Sequence, residues 1–282
     1  MAYRLNYNVE VRQCAEVQKG LGLFAVHRLS KGLKIMSEAP LLADETRDDL
    51  VRTIVEQHPS LPADGQAVLT RMYAGPRDVH PFLPEGAVRD AYAIRPSRLR
   101  RIARLNSFEG VGIGCVVSPG FAAVNHDCKP NAFMYYNPTT NLVALHALRD
   151  IQQDEELCIS YMQESVYLTK AERDSRLTNS AADSEERRVQ MKSLRDQLTQ
   201  FHQAASPSPA DTREAISVSR QLVSTLEQEG LPGLEMALCL AEQARMFETL
   251  GDGESAERLM RQSLIARRLC VGFDHPSCLT MQ

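Results

Sequence analysis

Ala123-Val124-Asn125-His126-Asp127-Cys128-Lys129-Pro130-Asn131 is the stretch on which the reading of this chain turns. Two apolar residues lead into an amide and an imidazole, and then into a Cys-x-Pro-Asn segment. Taken alone, Asn125 and His126 read as a polar loop whose side chains satisfy nearby backbone groups. The flanks enlarge that reading. Gly110 to Val117 has strand character, punctuated by Gly112, Gly114 and Gly120. Downstream, Pro138-Thr139-Thr140-Asn141 reads as a turn, because proline presets one dihedral and asparagine tolerates the left-handed region. Asn141 to Leu148 then reads as a strand through Leu142-Val143-Ala144-Leu145, and Leu157 to Tyr161 as another.

Further out, residues 7 to 43 read as short strands with tight turns. Val9 and Val11 alternate, Leu23, Phe24 and Val26 cluster, and Lys31-Gly32 marks a hairpin turn before Ile35 and Leu41-Leu42. At residue 46 the period changes: Leu50, Val51, Ile54 and Val55 recur at helical spacing. Pro59, Pro62 and Gly65 break that helix, and Val68, Leu69 and Met72 begin another. Residues 75 to 96 are rich in proline and glycine and read as loop. Arg98 to Phe108 reads as a helix with Leu99, Ile102, Ala103 and Leu105 on one side. The arginines at 95, 98, 100, 101 and 104 fit a solvated helix face better than a nucleic-acid patch.

After Tyr161 the periodicity is helical to the end. Arg187 to Phe201 carries Leu194, Leu198 and Phe201 at helical spacing, Gln203 to Asp211 reads as a linker, and Asp211 or Thr212 is expected to cap the next helix, which ends near Gly230. Leu234 to Leu250 and Glu254 to Cys270 read as a helical hairpin around Gly251-Asp252-Gly253. Small residues (Ala237, Ala241, Ala244, Ala256, Ser263) fall where the two should meet, as in a tetratricopeptide-type hairpin. A single hairpin cannot bury its own face, so it is expected to dock on the preceding helices.

Composition narrows the function classes. The chain has 282 residues, enough for about two domains, and 43% hydrophobic residues, enough for a core. Its net charge of −4 argues against a general nucleic-acid binder and suits a basic peptide partner. No run of eighteen apolar residues predicts a membrane span, and Met1 to Asn8 lacks a signal-peptide core. Intracellular residence, nuclear and/or cytoplasmic, is the expectation. Seven cysteines, none in a CxxC pair, predict neither disulfides nor a metal site; His275 and Cys278 are too few ligands.

Three segments occur in a telling order: Lys19-Gly20-Leu21-Gly22-Leu23-Phe24-Ala25, then Asn125-His126-x-Cys128-x-Pro130-Asn131, then Glu155-Glu156-Leu157-Cys158-Ile159-Ser160-Tyr161. Together they resemble the SET-domain family of protein-lysine methyltransferases, in its SET-and-MYND branch. The resemblance implies an α+β architecture. A β-rich SET domain at 1–165 holds a helical insert at 45–105, a linker follows at 166–186, and an all-α tetratricopeptide-like domain occupies 187–282. It also implies S-adenosyl-L-methionine as cofactor. Gly20, Leu21 and Gly22 are then expected to pass its methionine part, since glycine lets backbone approach a ligand closely. Asn125 and His126 are expected to hold its amino group and adenine edge. Asn106, in the Asn106-Ser107-Phe108 triplet, is a further cofactor contact on this resemblance. Tyr161 is expected at the methyl-transfer point, and the partner is a protein with an accessible lysine, histones included.

The chain departs from the family pattern in four places. Asp127 replaces the usual small serine and Asp154 the usual glycine. Residues 44–105 hold no cysteine, hence no MYND finger, and no cysteine follows Tyr161 where related chains carry a zinc segment that closes the lysine channel. Two alternatives therefore accompany the first reading: a non-catalytic scaffold whose helices bind a peptide, and an enzyme acting on a small molecule through an open channel.

Overall fold

The computed structural model describes residues 3–4, 6–16, 19–72, 95–110, 114–162, 165–176, 185–231 and 233–279. In chain order the strands begin with β1 (Tyr3–Arg4), β2 (Val9–Gln13), β3 (Leu21–Ala25), β4 (Lys34–Glu38) and β5 (Leu42–Asp44). Helices α1 (Arg47–Gln57), α2 (Ala63–Arg71) and α3 (Pro96–Asn106) follow. Next come β6 (Ser107–Gly110), β7 (Gly114–Val117), β8 (Asn125–His126), β9 (Ala132–Asn137), β10 (Leu142–Ala147) and β11 (Glu156–Ile159). The rest is helical: α4 (Lys170–Arg176), α5 (Glu185–Gln203), α6 (Pro209–Glu229), α7 (Leu234–Thr249) and α8 (Gly253–Val271). This is the expected α+β order, a β-rich SET-type region followed by helices.

Contacts gather into two compact units. One comprises Met1–Phe24, Ile35–Val124 and Met134–Leu145; the other comprises Ala25–Lys34, Asn125–Phe133 and His146–Gln282. In the first, β1 and β2 run antiparallel with Tyr3 opposite Val11, and β3 lies on the other side of β2. The Asn6 side chain turns the corner, its Oδ1 accepting the N–H groups of Asn8 at 2.7 Å and Val9 at 3.0 Å. Val9 and Val11 are buried, as their alternation predicts. A second sheet, β5-β7-β6, pairs Leu42 with Val117 and Phe108 with Val116. The insert helices cover it through Leu50, Val51, Ile54, Leu69, Leu99, Ile102 and Ala103.

Several expectations for the insert need correction. Gly65 does not end a helix but sits inside α2, where an added Cβ would lie 3.3 Å from the Leu41 side chain. The close approach explains a glycine at a position that propensity disfavours. Pro96 opens α3 instead of closing a loop, occupying the first helical turn where its missing N–H costs nothing. The other residues of that loop lie outside the described residues, apart from Arg95, the N-cap. Phe108 belongs to β6, and Leu105 is exposed while Leu99, Ile102 and Ala103 are buried. The turn before β10 is as read, with Asn141 at φ 54°.

In the second unit β8 and β11 pair in parallel, Asn125 with Cys158 and His126 with Ile159. The helices share a core of Met191, Leu194, Leu198, Ile216, Leu222, Leu226, Cys239 and Met246. Helix α5 packs on α6, α6 on α7 and α7 on α8, so the expected hairpin α7/α8 docks as required, and α5 and α6, read as separate helices, also pack as a pair. Ser263 donates to the Ala237 carbonyl at 2.6 Å, placing these two of the small residues at the α7/α8 contact. The cap of α6 is Ser208, not Asp211 or Thr212. Ser208 accepts the Asp211 N–H, the Asp211 carboxylate accepts the Ser208 N–H, and Pro209 takes the first helical position. The expected linker at 166–186 contains α4, whose Arg173 is buried.

Candidate active site

The parallel pairing of β8 with β11 places the Asn125-His126 pair beside the Glu-Glu-Leu-Cys-Ile-Ser-Tyr segment. The Asp127 N–H donates to the Ile159 carbonyl at 3.0 Å, continuing the ladder past its last strand residue. Asn125 Nδ2 donates to Glu156 Oε1 at 2.7 Å. His126 Nδ1 accepts the Tyr161 N–H at 3.0 Å, its Nε2 lies 3.4 Å from Cys128 Sγ, and its ring centroid is 5.4 Å from that of Tyr161. An Nδ1 that accepts a backbone N–H leaves the ring proton on Nε2. Burial lowers the His126 pKa from 6.5, with a smaller push from Arg173, and outweighs the opposing pull of Asp127 and the Ile159 backbone, which favours the neutral ring at neutral pH.

The loop that carries these groups is held at several points. Asp127 does not reach away from the loop: its Oδ1 accepts the Lys129 N–H at 2.8 Å and builds the turn. Asn131, 4% exposed, donates to Glu155 Oε1 and to the Glu156 carbonyl and accepts the Cys158 N–H at 2.8 Å. Burial disfavours the Glu155 anion, but the Arg149 guanidinium, the Gln152 N–H and the Asn131 amide together bring its pKa below 4.5. Asp154 stands at φ 65°, which accounts for glycine as the family's usual residue there.

Tyr161 keeps 54% of its surface exposed. Desolvation around its hydroxyl, followed by the charges of Cys158 and Glu156, pushes the phenol up to about 12. It is therefore a neutral hydroxyl that can both donate and accept.

The sequence-derived set divides between the units. Asn125, His126 and Tyr161 come together in the second. Gly20, Leu21, Gly22 and Asn106 lie in the first. Gly20 has φ 67° with open space where a Cβ would stand, and its carbonyl accepts the Cys14 N–H and the Gln13 side chain, both at 2.8 Å. Leu21 and Gly22 open β3. Asn106 ends α3, its amide donating to the Ile102 carbonyl at 2.8 Å. Glu156 and Asn131 were not singled out from the sequence. Their signal was a pair of acids opening an apolar strand and an asparagine closing the Cys-x-Pro-Asn segment.

The sequence pattern of the SET domain matches residues 20–162, half of the chain. The chain belongs to the SET-domain family. Among curated proteins, the histone-lysine N-methyltransferase set5 of Schizosaccharomyces pombe (strain 972 / ATCC 24843) is 25% identical to this SET protein, over 95% of this chain and 81% of its own length. Solved structures similar to it include the SET domain of LSMT bound to lysine and AdoHcy, at 11% identity with a TM-score of 0.37 over 93% of this chain and 88% of that one. Another is Rubisco LSMT bound to AdoMet, at 10% identity and a TM-score of 0.38, covering 93% and 87%. Among the described residues of this SET chain, no helix is long and apolar enough to cross a membrane. No group of three His, Cys, Asp or Glu side chains among them is placed to hold a metal ion.

Proposed function

We propose that this SET protein is an S-adenosylmethionine-dependent methyltransferase acting on a protein lysine, with histones among the candidate substrates. The observation that carries the reading is the convergence of Asn125 and His126 on β8 with Tyr161, just past the end of its partner β11. The chemistry of these donors fits the cofactor. A neutral imidazole and an amide beside the Glu156 carboxylate suit a ligand bearing a cationic sulfur and an ammonium group. Gly20, Leu21, Gly22 and Asn106 belong to the same proposed cofactor-contacting set. Residues 1–165 are the proposed catalytic domain with its insert at 45–105, 166–186 the linker, and 187–282 the helical region, which offers a surface for a peptide partner.

S-adenosylmethionine, when bound, supplies a methyl group on a positively charged sulfur. Asn125 and the His126 backbone would hold it. Tyr161 presents a hydroxyl that stays protonated at neutral pH and can orient an incoming amine. A lysine amine has an ordinary pKa of about 10.4 and must shed a proton before attack, which burial favours. The residues present supply alignment, and no general base is assigned.

Calorimetric titration with S-adenosylmethionine tests the reading. Micromolar binding that Asn125→Ala abolishes is expected, and absence of binding by the unaltered chain would leave the scaffold reading. Tyr161→Phe is expected to retain cofactor binding while turnover on a lysine peptide falls or product multiplicity changes; unchanged kinetics would remove Tyr161 from the transfer point. The exposure of Tyr161 favours one further comparison, since methylation of a metabolite but of no protein would support the small-molecule alternative.

A further inference from the structure

The Asn125–Asn131 loop is gripped from its far side by the C-terminal helices. Arg188, on α5, is 1% exposed and donates through Nη2 to the Cys128 carbonyl at 2.8 Å, two residues from His126. Lys129 of the same loop lies 3.3 Å from the Glu229 carboxylate, whose side chain is fully buried. Glu229 also meets Arg187 at 2.7 Å and Arg188 at 3.6 Å. Both charges occupy positions that periodicity reserves for apolar residues. Arg188 extends the stripe of Met191, Leu194 and Leu198, and Glu229 that of Leu222 and Leu226. Glu229 is also the last residue of α6, where the helix dipole disfavours an anion. A buried ion pair adds little stability beyond what packed apolar side chains would give. This one joins α5 and α6 to the backbone of Cys128 and the side chain of Lys129.

We infer that Arg188 is a positioning residue for the cofactor loop, acting through the Cys128 carbonyl, with Glu229 holding Arg188 and Lys129 in register. The helical region is then part of the cofactor site's framework and not solely an appended partner-binding surface. The inference rests on the reading of Asn125 and His126 as cofactor contacts. It has one readout that needs no cofactor.

The variant is Arg188→Met, which keeps the stem and removes the donor. In the cofactor-free protein, amide hydrogen exchange across residues 125–131 is expected to accelerate about tenfold. Exchange across β10 and the far-UV circular dichroism are expected to stay unchanged. The Kd for S-adenosylmethionine is expected to rise about tenfold, and Arg188→Lys, which keeps a charge, to fall between. A merely structural role would lower Tm and leave both readouts in place. If Arg188→Met does not fold, Arg188→Lys decides, since it keeps a charge beside Glu229 and loses the guanidinium donor to the Cys128 carbonyl; it is expected to accelerate exchange in the same segment. Unchanged exchange across 125–131 in a folded variant overturns the inference. Failure of the unaltered chain to bind cofactor overturns the function proposed above and leaves the exchange result to judge the positioning role separately.

Discussion

The His126 imidazole accepts the Tyr161 N–H through Nδ1, so a proton added there removes the acceptor that holds the backbone of Tyr161. Because the folded-state pKa lies below 6.5, the unfolded chain takes up the proton first. The contribution of the neutral ring to stability is therefore complete above 6.5 and is lost as pH falls through that value toward the lower folded pKa. Cofactor affinity is expected to develop an acid limb below 6.5, checked by binding titrations across pH. The His126 ring signals should still report a neutral imidazole at pH 6.5. Asp154 is the second residue with a measurable burden. Its φ of 65° is tolerated by aspartate but costs a β-branched residue about 1–2 kcal/mol. Asp154→Val is expected to lower Tm and Asp154→Gly to leave it level or slightly higher. A Val variant as stable as the parent would show that the turn can relax.

Among the elements, the β6–β7 hairpin depends on one atom's absence. Gly114 stands at φ 77°, and an added Cβ would lie 2.2 Å from the Asp44 carbonyl oxygen and 2.5 Å from that of Glu45. Neither contact is a flexible side chain, so Gly114→Ala is expected to cost more than about 2 kcal/mol, read from the urea midpoint. A variant within a few tenths of the parent would mean that the β5 edge yields. Strand and helix existence was legible along most of the chain because periods of two and 3.6 are written in residues such as Val9 and Val11, or Leu50, Val51 and Ile54. Boundaries were less so. Ser208 is overlooked as a cap because Gln203 to Asp211 reads as a linker, although a serine followed by proline and, three residues on, an acid is the pattern of a reciprocal cap. Gly65 and Pro96 read as breakers because their local propensities are those of breakers. Close packing against Leu41 and placement in the first turn of α3 reverse that meaning.

Over the molecule as a whole, the motif half of the candidate site is legible in the sequence and the residues packed behind it are not. Asn125, His126 and Tyr161 carry a recognisable pattern, whereas Arg188 and Glu229 lie 60 and 100 residues beyond their loop partners Cys128 and Lys129, within otherwise apolar helix stripes. Long-range ionic partners leave only the faint trace of a charge on a buried face. Acid lability is a second property at this scale. His146 is buried beside Lys34, and desolvation followed by that lysine lowers it from 6.5 to about 4. Stability should drain away as pH falls from 6.5 toward about 4, by roughly 2–3 kcal/mol from this group. His146→Gln, which takes up no proton, should flatten that slope in denaturant titrations. The cysteines add a further consequence. All seven are buried as free thiols, two of them, Cys14 and Cys115, in the first unit and the other five in the second. An alkylating reagent can therefore reach them only when the chain opens. The mass of the first modified species, two adducts, five or seven, would reveal which unit lets go first, and the rate of its appearance would time the opening.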